Sequence, residues 1–466
     1  TLFEKLWRQH VVAELDEQTS LLHIDRVFLH ERTGSIALAS LEQDGRTVRH
    51  PELAFCTMDH IVDTSPTRGD DTPMPGGREF IRTTREAARR FGLTLFDIHD
   101  PNQGIVHVIS PELGIVLPGT TVVCPDSHTC TQGAFGALAW GIGSSEAEHA
   151  LATQTLRVAR PRTMRVSFNG AFGPGVTAKD LSLWLIGRES AGGAAGHALE
   201  FAGSAVRALP VEARMTLCNM GVEFSAFTAL VAPDDAVFEY LAGRPYAPAG
   251  SLWERALMHW RALRTDDEAD FDRESAYDAA LVAPMVTWGT SPQHVIPVDG
   301  RVPAPEDECD SVARQGMERA LKYMGLQPGL RLEGVPIDAV FIGSCTNSRL
   351  SDLRLAARIL EGRKVARGVK AICVPGSMKV KRDAEAEGLD RIFRDAGFEW
   401  RAAGCSMCFF AGGEGFAPQQ RVVSTTNRNF EGRQGVGVRT HLASPATAAA
   451  SAISGRIADP RPLLEI

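Results

Sequence analysis

The chain has 466 residues, of which 44% are hydrophobic and 23% are charged, and these are the proportions of an ordinary globular protein. Its formal net charge of −8 argues against a nucleic-acid-binding protein, and no apolar run approaches the ~18 residues of a membrane-spanning helix. Nine cysteines are an odd number in a long chain, so we expect a cytoplasmic protein without a disulfide framework, with neither nucleic acid nor membrane among its partners.

The first two thirds of the chain predict helices, strands and polar turns. Residues 1–10 have the apolar spacing of an amphipathic helix. A loop rich in proline and glycine occupies 66–77. Residues 121–124 predict a buried strand that runs into a polar turn at 125–129, and 133–143 predict an apolar, glycine-rich packing segment.

The last third repeats a strand–turn–helix pattern, which predicts an α/β fold with parallel sheets covered by helices. In such sheets ligands bind beyond the carboxyl ends of the strands. Ser444 and Pro445 provide an N-cap and a first-turn proline for an alanine-rich closing helix. The other predicted elements are strands at 339–342, 371–374, 398–401 and 422–423 and helices at 351–360 and 380–396.

Three cysteines predict a metal centre beyond the ends of these strands. Cys345 lies in Gly-Ser-Cys-Thr-Asn-Ser, and Cys405 and Cys408 form a C-x-x-C pair sixty residues later. Three soft ligands with no fourth at short spacing match an iron–sulfur cluster with one iron not held by protein. From the spacing alone, a zinc half-site, a redox pair and buried structural cysteines remain alternatives.

Histidines beside carboxylates are candidates for acid–base chemistry. Asp59 precedes His60 directly, Asp126 precedes His128 by two residues, and His107 follows an apolar pair. A carboxylate that orients a histidine and a histidine that carries a proton are what general acid–base catalysis uses. Each motif alone is more often structural, and the turn at 125–129 could be only a cap.

Two further motifs carry polar groups. Arg428 and Arg433 lie five residues apart, and guanidinium groups bind carboxylates bidentately. The alternative for this loop is a solvated basic segment paired with Glu431. Asn219 and Glu223 are four residues apart, so on a helix they would share one face.

The combination of these motifs, in this order, resembles the aconitase family. The likeness runs nearly from end to end, and within the family the chain is similar to the bacterial large subunits that isomerise 2- and 3-isopropylmalate. It implies three α/β domains, at 1–163, 164–284 and 285–466, packed around an iron–sulfur cluster, with the family's swivelling fourth domain absent. The motifs are Pro-Asp-Ser-His-Thr (125–129), Cys-Asn-Met-Gly-Val-Glu (218–223), Gly-Ser-Cys-Thr-Asn-Ser (343–348), Gly-Cys-Ser-Met-Cys (404–408) and Asn-Arg-Asn-Phe-Glu-Gly-Arg (427–433).

The resemblance also implies an activity and a cofactor. The activity is that of a hydro-lyase of leucine biosynthesis that isomerises isopropylmalate by dehydration and rehydration. The cofactor is one [4Fe–4S] cluster held by Cys345, Cys405 and Cys408, with a fourth iron left to bind substrate. The implied roles are catalysis for the pairs Asp59–His60, Asp126–His107 and Glu223–His128, a position near the cluster for Asn219 and Asn427, and substrate binding for His30, Ser127, Arg428 and Arg433.

The resemblance implies a partner as well. In single-chain aconitases the base that removes the C–H proton is a serine on the fourth, swivelling domain. This chain ends at Ile466, after its alanine-rich helix. We therefore expect a separate small subunit that carries the swivelling domain and the base, and a heterodimer as the active form.

Several residues near the implied pocket depart from the family's pattern. Pro125 stands where glycine is usual, Ile61 where asparagine is usual, and Gln132 where histidine is common. The segment 409–415 replaces a Leu-Ala-Met-Asn type of sequence. These departures leave open a paralogous enzyme acting on another malate, such as methylmalate, dimethylmalate or homocitrate. A non-catalytic RNA-binding iron sensor is a further alternative, against which the acidic charge counts.

Overall fold

The structure, a computed structural model, describes residues 1–410 and 413–464. Ala411 and Gly412, part of the departing segment 409–415, lie outside the described residues. The strands are β1 (Val11–Glu14), β2 (Thr19–His23), β3 (Arg26–His30), β4 (Ala54–Thr57), β5 (Thr94–Phe96), β6 (Thr121–Cys124), β7 (Leu138–Gly141), β8 (Thr155–Ala159), β9 (Arg162–Asn169), β10 (His197–Ala202), β11 (Thr228–Val231), β12 (Arg273–Asp278), β13 (Met285–Thr287), β14 (Val295–Pro297), β15 (Ala339–Ile342), β16 (Lys370–Cys373), β17 (Phe398–Trp400), β18 (Arg421–Ser424) and β19 (Arg439–Leu442). The helices are α1 (Leu2–His10), α2 (Glu31–Gln43), α3 (Gly77–Phe91), α4 (Val106–Glu112), α5 (Ser144–Thr153), α6 (Ala178–Glu189), α7 (Ser204–Ala208), α8 (Val211–Asn219), α9 (Asp235–Leu241), α10 (Ser251–Arg261), α11 (Ser311–Met324), α12 (Leu350–Leu360), α13 (Met378–Ala386), α14 (Leu389–Ala396), α15 (Pro445–Ser454) and α16 (Arg461–Leu464).

Two five-stranded sheets share one strand order. The N-terminal sheet runs β5-β4-β3-β6-β7, and the C-terminal sheet runs β17-β16-β15-β18-β19. Every neighbouring pair in both sheets is parallel. The central strands β3 and β15 are almost wholly buried, as expected where helices cover both faces of a parallel sheet. The prediction of an α/β fold with parallel sheets is confirmed.

Each of these two sheets has a point where its strand order reverses. From β3 the chain builds β4 and β5 on one side and then returns to place β6 and β7 on the other. From β15 it does the same with β16 and β17, and then with β18 and β19. At such a point the loops after two adjacent strands diverge and leave a crevice at their carboxyl ends. The fold therefore supplies two crevices, one after β3 and β6 and one after β15 and β18.

A middle sheet, ordered β11-β10-β9-β12 and also parallel, lies between them in sequence. Its apolar side chains belong to one continuous core with those of the N-terminal sheet, whereas the C-terminal sheet has a separate core. The domain division after residues 163 and 284 stays a prediction. Each predicted range contains one of the three large sheets, except that β9 already begins at Arg162.

The predicted elements of the last third lie close to the observed ones, with one exception. The helix predicted at 380–396 is wrong as a single element, because Gly388 adopts a left-handed conformation with φ 76° and separates α13 from α14. At the closing helix the hydroxyl of Ser444 accepts the N–H of Thr447, as the predicted N-cap requires. Among the described residues, every helix is too short or too polar to cross a bilayer.

Candidate active site

Most of the predicted site residues lie in loops that follow strands of the N-terminal and C-terminal sheets, whereas His107 is in α4 and Asn219 and Glu223 are at and after the end of α8. His30 ends β3, Asp59 follows β4, and Asp126 follows β6. Cys345 follows β15 and Asn427 follows β18. Both crevices of the fold therefore contribute side chains, and those of one sheet face those of the other.

These loops enclose one cavity of about 180 Å³ between the two sheets. Asp59, Asn219 and Glu223 are not part of its wall and lie behind it, each bonded to a wall residue. The predicted site residues that line the cavity are His30, His60, His107, Asp126, Ser127, His128, Cys345, Cys405, Cys408, Asn427, Arg428 and Arg433.

The three cysteines are buried free thiols. The amide nitrogens of Asn219 and Asn427 donate to the sulfur of Cys345 over 3.2 and 3.6 Å. The guanidinium of Arg433 donates to the sulfur of Cys408 over 3.8 Å. Donors of this kind favour the thiolate, which is the form that binds metal.

The spacing of the sulfurs tests which metal group fits. Among the described residues, only His30, Asp59 and His60 bring three ligand atoms within 4.8 Å of one another, so the three cysteine sulfurs are spread more widely. Sulfur ligands of a single tetrahedral zinc ion would lie about 3.8 Å apart. Burial raises the pKa of Cys345 and Cys405, so a bound cation is needed to hold them as thiolates. The donor set fits an iron–sulfur cluster and not a lone zinc ion.

The backbone next to two of the cysteines is strained. Ser344 and Ser406 have positive φ angles of 88° and 48°, a region that residues other than glycine rarely adopt. These serines flank Cys345 and Cys405 directly. Strain of this kind persists where surrounding contacts hold it, and it is concentrated at functional sites.

The Asp126 carboxylate binds three histidines of the cavity. It lies 2.9 Å from Nε2 of His107 and 3.0 Å from Nε2 of His60, and it accepts the backbone N–H of His128 over 2.7 Å. Burial alone would raise the pKa of Asp126, but the charge of His107 and these hydrogen bonds lower it well below its usual range. Asp126 is therefore a carboxylate that orients histidines from three different segments.

A second carboxylate, that of Glu223, binds two residues of the cavity wall. Glu223 accepts hydrogen bonds from Nε2 of His128 over 3.0 Å and from Nε of Arg428 over 2.8 Å. Burial opposes its charge, yet these partners lower the pKa of Glu223. Asn219 ends α8 and Glu223 lies in the following 3₁₀ turn, so the single helix face considered for this pair is not formed. The two residues reach different partners instead.

His30 and His60 stack with their ring centroids 3.9 Å apart. Burial and the neighbouring His60 charge lower the pKa of His30 to about 4. Burial also disfavours charge on His60, but Asp59, 2.6 Å from its Nδ1, outweighs that effect and raises its pKa well above the usual value. One ring of the stack is thus neutral and the other cationic. Nδ1 of His30 is buried without a hydrogen-bond partner among the described residues.

Ser127 and the departing residues complete the wall. Ser127 is exposed to the cavity, with its hydroxyl 3.3 Å from Nδ1 of His128. The carbonyl of Pro125 accepts a hydrogen bond from the hydroxyl of Thr33 over 3.0 Å. Gln132 donates from its amide to Ser110 over 2.7 Å and lies 3.4 Å from Nδ1 of His107. Phe409 lines the cavity and is tilted against His60, with the ring centroids 5.7 Å apart.

Sequence reasoning missed several residues that hold these loops. Glu31 is wholly buried and accepts the backbone N–H groups of Asp59, Ile61 and Val62. Burial and the nearby charge of Asp59 raise the pKa of Glu31 to about 7. Its position directly after His30, one of the residues expected to bind substrate, was a signal that could have been used.

Lys179 and Arg68 also hold loops of the site, but nothing in the sequence around them indicated this. Lys179 on α6 is buried and donates to the carbonyl of Thr425 over 3.3 Å, two residues before Asn427. Burial lowers its pKa to about 8. Arg68 is buried in the loop at 66–77 and donates to the carbonyl of Ala403, beside the cysteine pair. In sequence both residues are typical of solvated surface positions.

Comparisons with known proteins show which family the chain belongs to. The model of the family described as Aconitase family (aconitate hydratase) matches residues 4–455. A protein of Bradyrhizobium diazoefficiens named 3-isopropylmalate dehydratase large subunit 1 is 57% identical over 461 residues, which are 99% of this chain and 96% of that protein. A crystal structure of Thermococcus kodakaraensis aconitase X in its holo-form matches 88% of this chain and 84% of that chain, with 13% identity and a TM-score of 0.46. Because the family match spans nearly the whole chain and includes every cysteine and histidine motif of the cavity, the chain belongs to the aconitase family.

Proposed function

We propose that this chain is the cluster-bearing large subunit of a hydro-lyase that isomerises 2-isopropylmalate and 3-isopropylmalate in leucine biosynthesis. The observation that carries the proposal is the convergence of three cysteines and three carboxylate–histidine pairs on one cavity. The identity of 57% to a protein named 3-isopropylmalate dehydratase large subunit supports the choice of substrate.

The proposed cofactor is one [4Fe–4S] cluster held by Cys345, Cys405 and Cys408. When bound, it supplies a Lewis acid that takes up charge on the leaving hydroxyl group. Asn219, Asn427 and Arg433 donate to the cysteine sulfurs, which supports their proposed place beside the cluster.

The chain's own acid–base groups are proposed to deliver and hold protons at the leaving hydroxyl. Asp59 and Asp126 keep His60 cationic between them, so that ring has a proton to give. His107 is oriented by Asp126, and His128 by Glu223. Hydroxide is a poor leaving group, so protonation as the C–O bond breaks lowers the barrier.

The substrate is proposed to bind through its carboxylates and polar groups. Arg428 and Arg433 present guanidinium groups to the cavity, and His30 and Ser127 offer neutral hydrogen-bonding groups. The unpartnered, buried Nδ1 of His30 and Nε of Arg433 support this assignment, since buried polar atoms normally have partners. The residues at 1–163, 164–284 and 285–466 are proposed to form the three domains around this site.

A separate small subunit is proposed to complete the active site. It would carry the swivelling domain and the base that removes the C–H proton. The printed name of the Bradyrhizobium relative, a large subunit, supports a two-subunit enzyme. We therefore expect the chain alone to be inactive.

A second candidate is the same chemistry on another substituted malate. Phe409 in the cavity wall and the buried Ile61 behind it favour this alternative, because both replace residues that the family's pattern leads one to expect. A bulky ring at this position changes the space available to the substrate's side chain.

One experiment tests both candidates. The chain is purified anaerobically with its small subunit and reconstituted with iron and sulfide, and the absorbance of the alkene is followed with each malate. The proposal predicts alkene from both isopropylmalates only when both subunits are present. Absence of alkene from either isopropylmalate would overturn it, and turnover of methylmalate, dimethylmalate or homocitrate alone would favour the second candidate. Full activity without the small subunit would contradict the proposed partner.

A further inference from the structure

We propose that Arg32, together with Phe409, binds the substrate carboxylate that lies farther from the three cysteines and so helps to determine which acids the site accepts. This inference deepens the proposed function and rests on it. Arg32 was not among the predicted site residues, and its neighbour His30 was expected to supply the polar contact at this end of β3.

Arg32 reaches the cavity from the first turn of α2. It is one of the residues that line the cavity, and its guanidinium carbon lies 4.5 Å from the centroid of the Phe409 ring. The guanidinium of Arg433 lies 5.8 Å from the same ring centroid. An aromatic face attracts a guanidinium and restricts its movement without neutralising its charge. Phe409 therefore holds Arg32 at the cavity and leaves its hydrogen-bond donors available.

The guanidinium groups of the cavity differ in whether they are paired with a carboxylate. Arg428 is already engaged, because its Nε donates to Glu223 over 2.8 Å. Among the described residues, no carboxylate lies within ion-pair distance of Arg32 or Arg433. Two guanidinium groups without acidic partners are free to bind carboxylates of a malate in planar, paired fashion, and Arg428 adds the donors that Glu223 does not occupy.

The two free guanidinium groups lie at different depths. Arg433 contacts the sulfur of Cys408 and has a buried Nε without a partner, so it belongs to the cysteine end. Arg32 is exposed and lies against Phe409, and among the described residues it makes no hydrogen bond to a cysteine sulfur, unlike Arg433. Both guanidinium groups lie over the same ring, 4.5 and 5.8 Å from the centroid of Phe409, which places the two positive charges within reach of one small dicarboxylate. Arg32 is thus placed for the distal carboxylate.

The alternative for Arg32 is a surface arginine that stacks on Phe409 and does not touch substrate. The two readings differ in what the loss of Arg32 does to a ligand that lacks the distal charge. A carboxylate-binding residue matters only when that charge is present, whereas a stacking residue affects all ligands alike.

The test measures binding to the anaerobic, cluster-loaded complex with its small subunit. The probes are malate and its two monoamides, in each of which one carboxylate is neutral, and the method is isothermal titration calorimetry. The variants are Arg32→Ala, Arg32→Lys, Phe409→Leu and the double variant Arg32→Ala with Phe409→Leu. Arg49→Ala, another exposed arginine that does not line the cavity, is the matched control.

The inference predicts that Arg32→Ala weakens malate binding by about 10- to 100-fold, the usual effect of losing a charge-assisted hydrogen bond. The same variant should bind the monoamide that keeps the distal carboxylate more weakly by a similar factor. Its affinity for the other monoamide, which already lacks the distal charge, should fall by less than about twofold. Arg32→Lys should restore part of the affinity. Phe409→Leu should weaken malate binding severalfold, and the double variant should bind no worse than Arg32→Ala alone.

Other outcomes separate the inference from the proposed function. Equal effects of Arg32→Ala on malate and both monoamides, or no effect at all, would overturn the role of Arg32 even if isopropylmalate is turned over normally. A complex that binds malate in an Arg32-dependent way but turns over no substituted malate would overturn the proposed function and keep the inference. A wild-type complex that binds no malate would overturn both.

Discussion

Cys405 donates its backbone N–H to the carbonyl oxygen of Asp59 over 2.7 Å. One residue belongs to the loop after β17 and the other to the loop after β4, so this bond joins the C-terminal sheet to the N-terminal sheet. Nearby, the N–H of Ala402 donates to the carbonyl of Thr64 over 2.8 Å. The loop of the cysteine pair proposed to bind the cluster and the loop of Asp59, proposed for acid–base chemistry, are therefore positioned by the same contacts.

Arg68 reinforces this junction, and its removal should loosen it. Its guanidinium donates to the carbonyls of Ala403 and Ile98 over 2.6 and 2.7 Å and to the side-chain oxygen of Gln103 over 2.7 Å. Arg68→Met keeps the apolar stem but leaves buried acceptors unpaired, which costs about 2–4 kcal/mol. We expect a lower unfolding midpoint and faster loss of cluster absorbance in air. Arg78→Met, on an exposed arginine, is the control, and equal behaviour of both variants would contradict the role of Arg68.

Gly104 should be indispensable where the two sheets meet. A Cβ added there would lie 2.5 Å from Cα of Ser377, and the adjacent Ile105 N–H is fixed on the carbonyl of Gly376 over 2.8 Å. Gly104→Ala should therefore destabilise the protein by about 1–3 kcal/mol and displace His107, three residues on. Gly316→Ala, in a helix with open space around the added atom, should be neutral or slightly stabilising. Chemical denaturation distinguishes them, and similar midpoints for the two variants would refute the steric argument.

The raised pKa of Glu112 should make the stability of the fold depend on pH. Glu112 is half-buried at the end of α4 and accepts a hydrogen bond from the hydroxyl of Ser377 over 2.7 Å, and desolvation of its carboxyl group raises its pKa from 4.5 to about 7. Between those values the folded chain holds a proton that the unfolded chain has lost. Its contribution is therefore complete below pH 4.5 and is lost as the pH rises through 7, a fall of up to about 3 kcal/mol.

The measurement is the urea midpoint from pH 5 to 8 in the wild type and in Glu112→Gln. The variant cannot titrate at this position, so its midpoint should fall less with rising pH than that of the wild type. Glu86→Gln, on an exposed carboxylate paired with Arg82, should leave the wild-type slope unchanged. Parallel curves for the wild type and Glu112→Gln would show that this carboxyl does not govern the slope.

Asp126→Asn tests the acid–base groups separately from the metal-binding groups. The amide removes the negative charge that orients His60 and His107, so kcat should fall by at least about 100-fold while cluster absorbance and iron content stay normal. Asp25→Asn is matched, because Asp25 also pairs with a histidine, His10, over 2.8 Å, but outside the cavity. That control should lower stability and leave kcat within about threefold. Activity of Asp126→Asn close to that of the wild type would exclude a catalytic role for Asp126.

Local sequence signals predicted five strands close to their observed bounds, and the turns at the ends of those strands then indicated where to look for a site. The short apolar runs at 339–342 and 121–124 are strands, because parallel strands covered on both faces read as continuous apolar segments. Gly388 shows the limit of periodicity, since the charged stretch around it has one helical pattern but a backbone that breaks there. The shared strand order of two sheets left no detectable sequence repeat, because order is set by which strands pair and not by local composition.

Two residues that matter only through long-range contacts, Arg32 and Lys179, could not be predicted from the sequence. Arg32 becomes meaningful only through Phe409, which is far along the chain, and Lys179 only through the carbonyls before Asn427. A lone Arg or Lys in a helix is normally solvated, so sequence offers no reason to select either. Glu31, which is buried, falls between the predictable and the unpredictable residues. The sequence does not show its contacts, but its place beside His30 was a usable signal.

The most direct test of the central claim is the iron content and Mössbauer spectrum of the anaerobically reconstituted chain. Wild type is compared with Cys345→Ser, Cys405→Ser and Cys408→Ser, and Cys373→Ser, on a buried cysteine of β16 outside the cavity, is the control. We predict about four irons per chain, one of them spectroscopically distinct, in the wild type and the control, and a clear loss in each of the three variants. An unchanged cluster in any of those three, or no cluster in the wild type, would contradict the account.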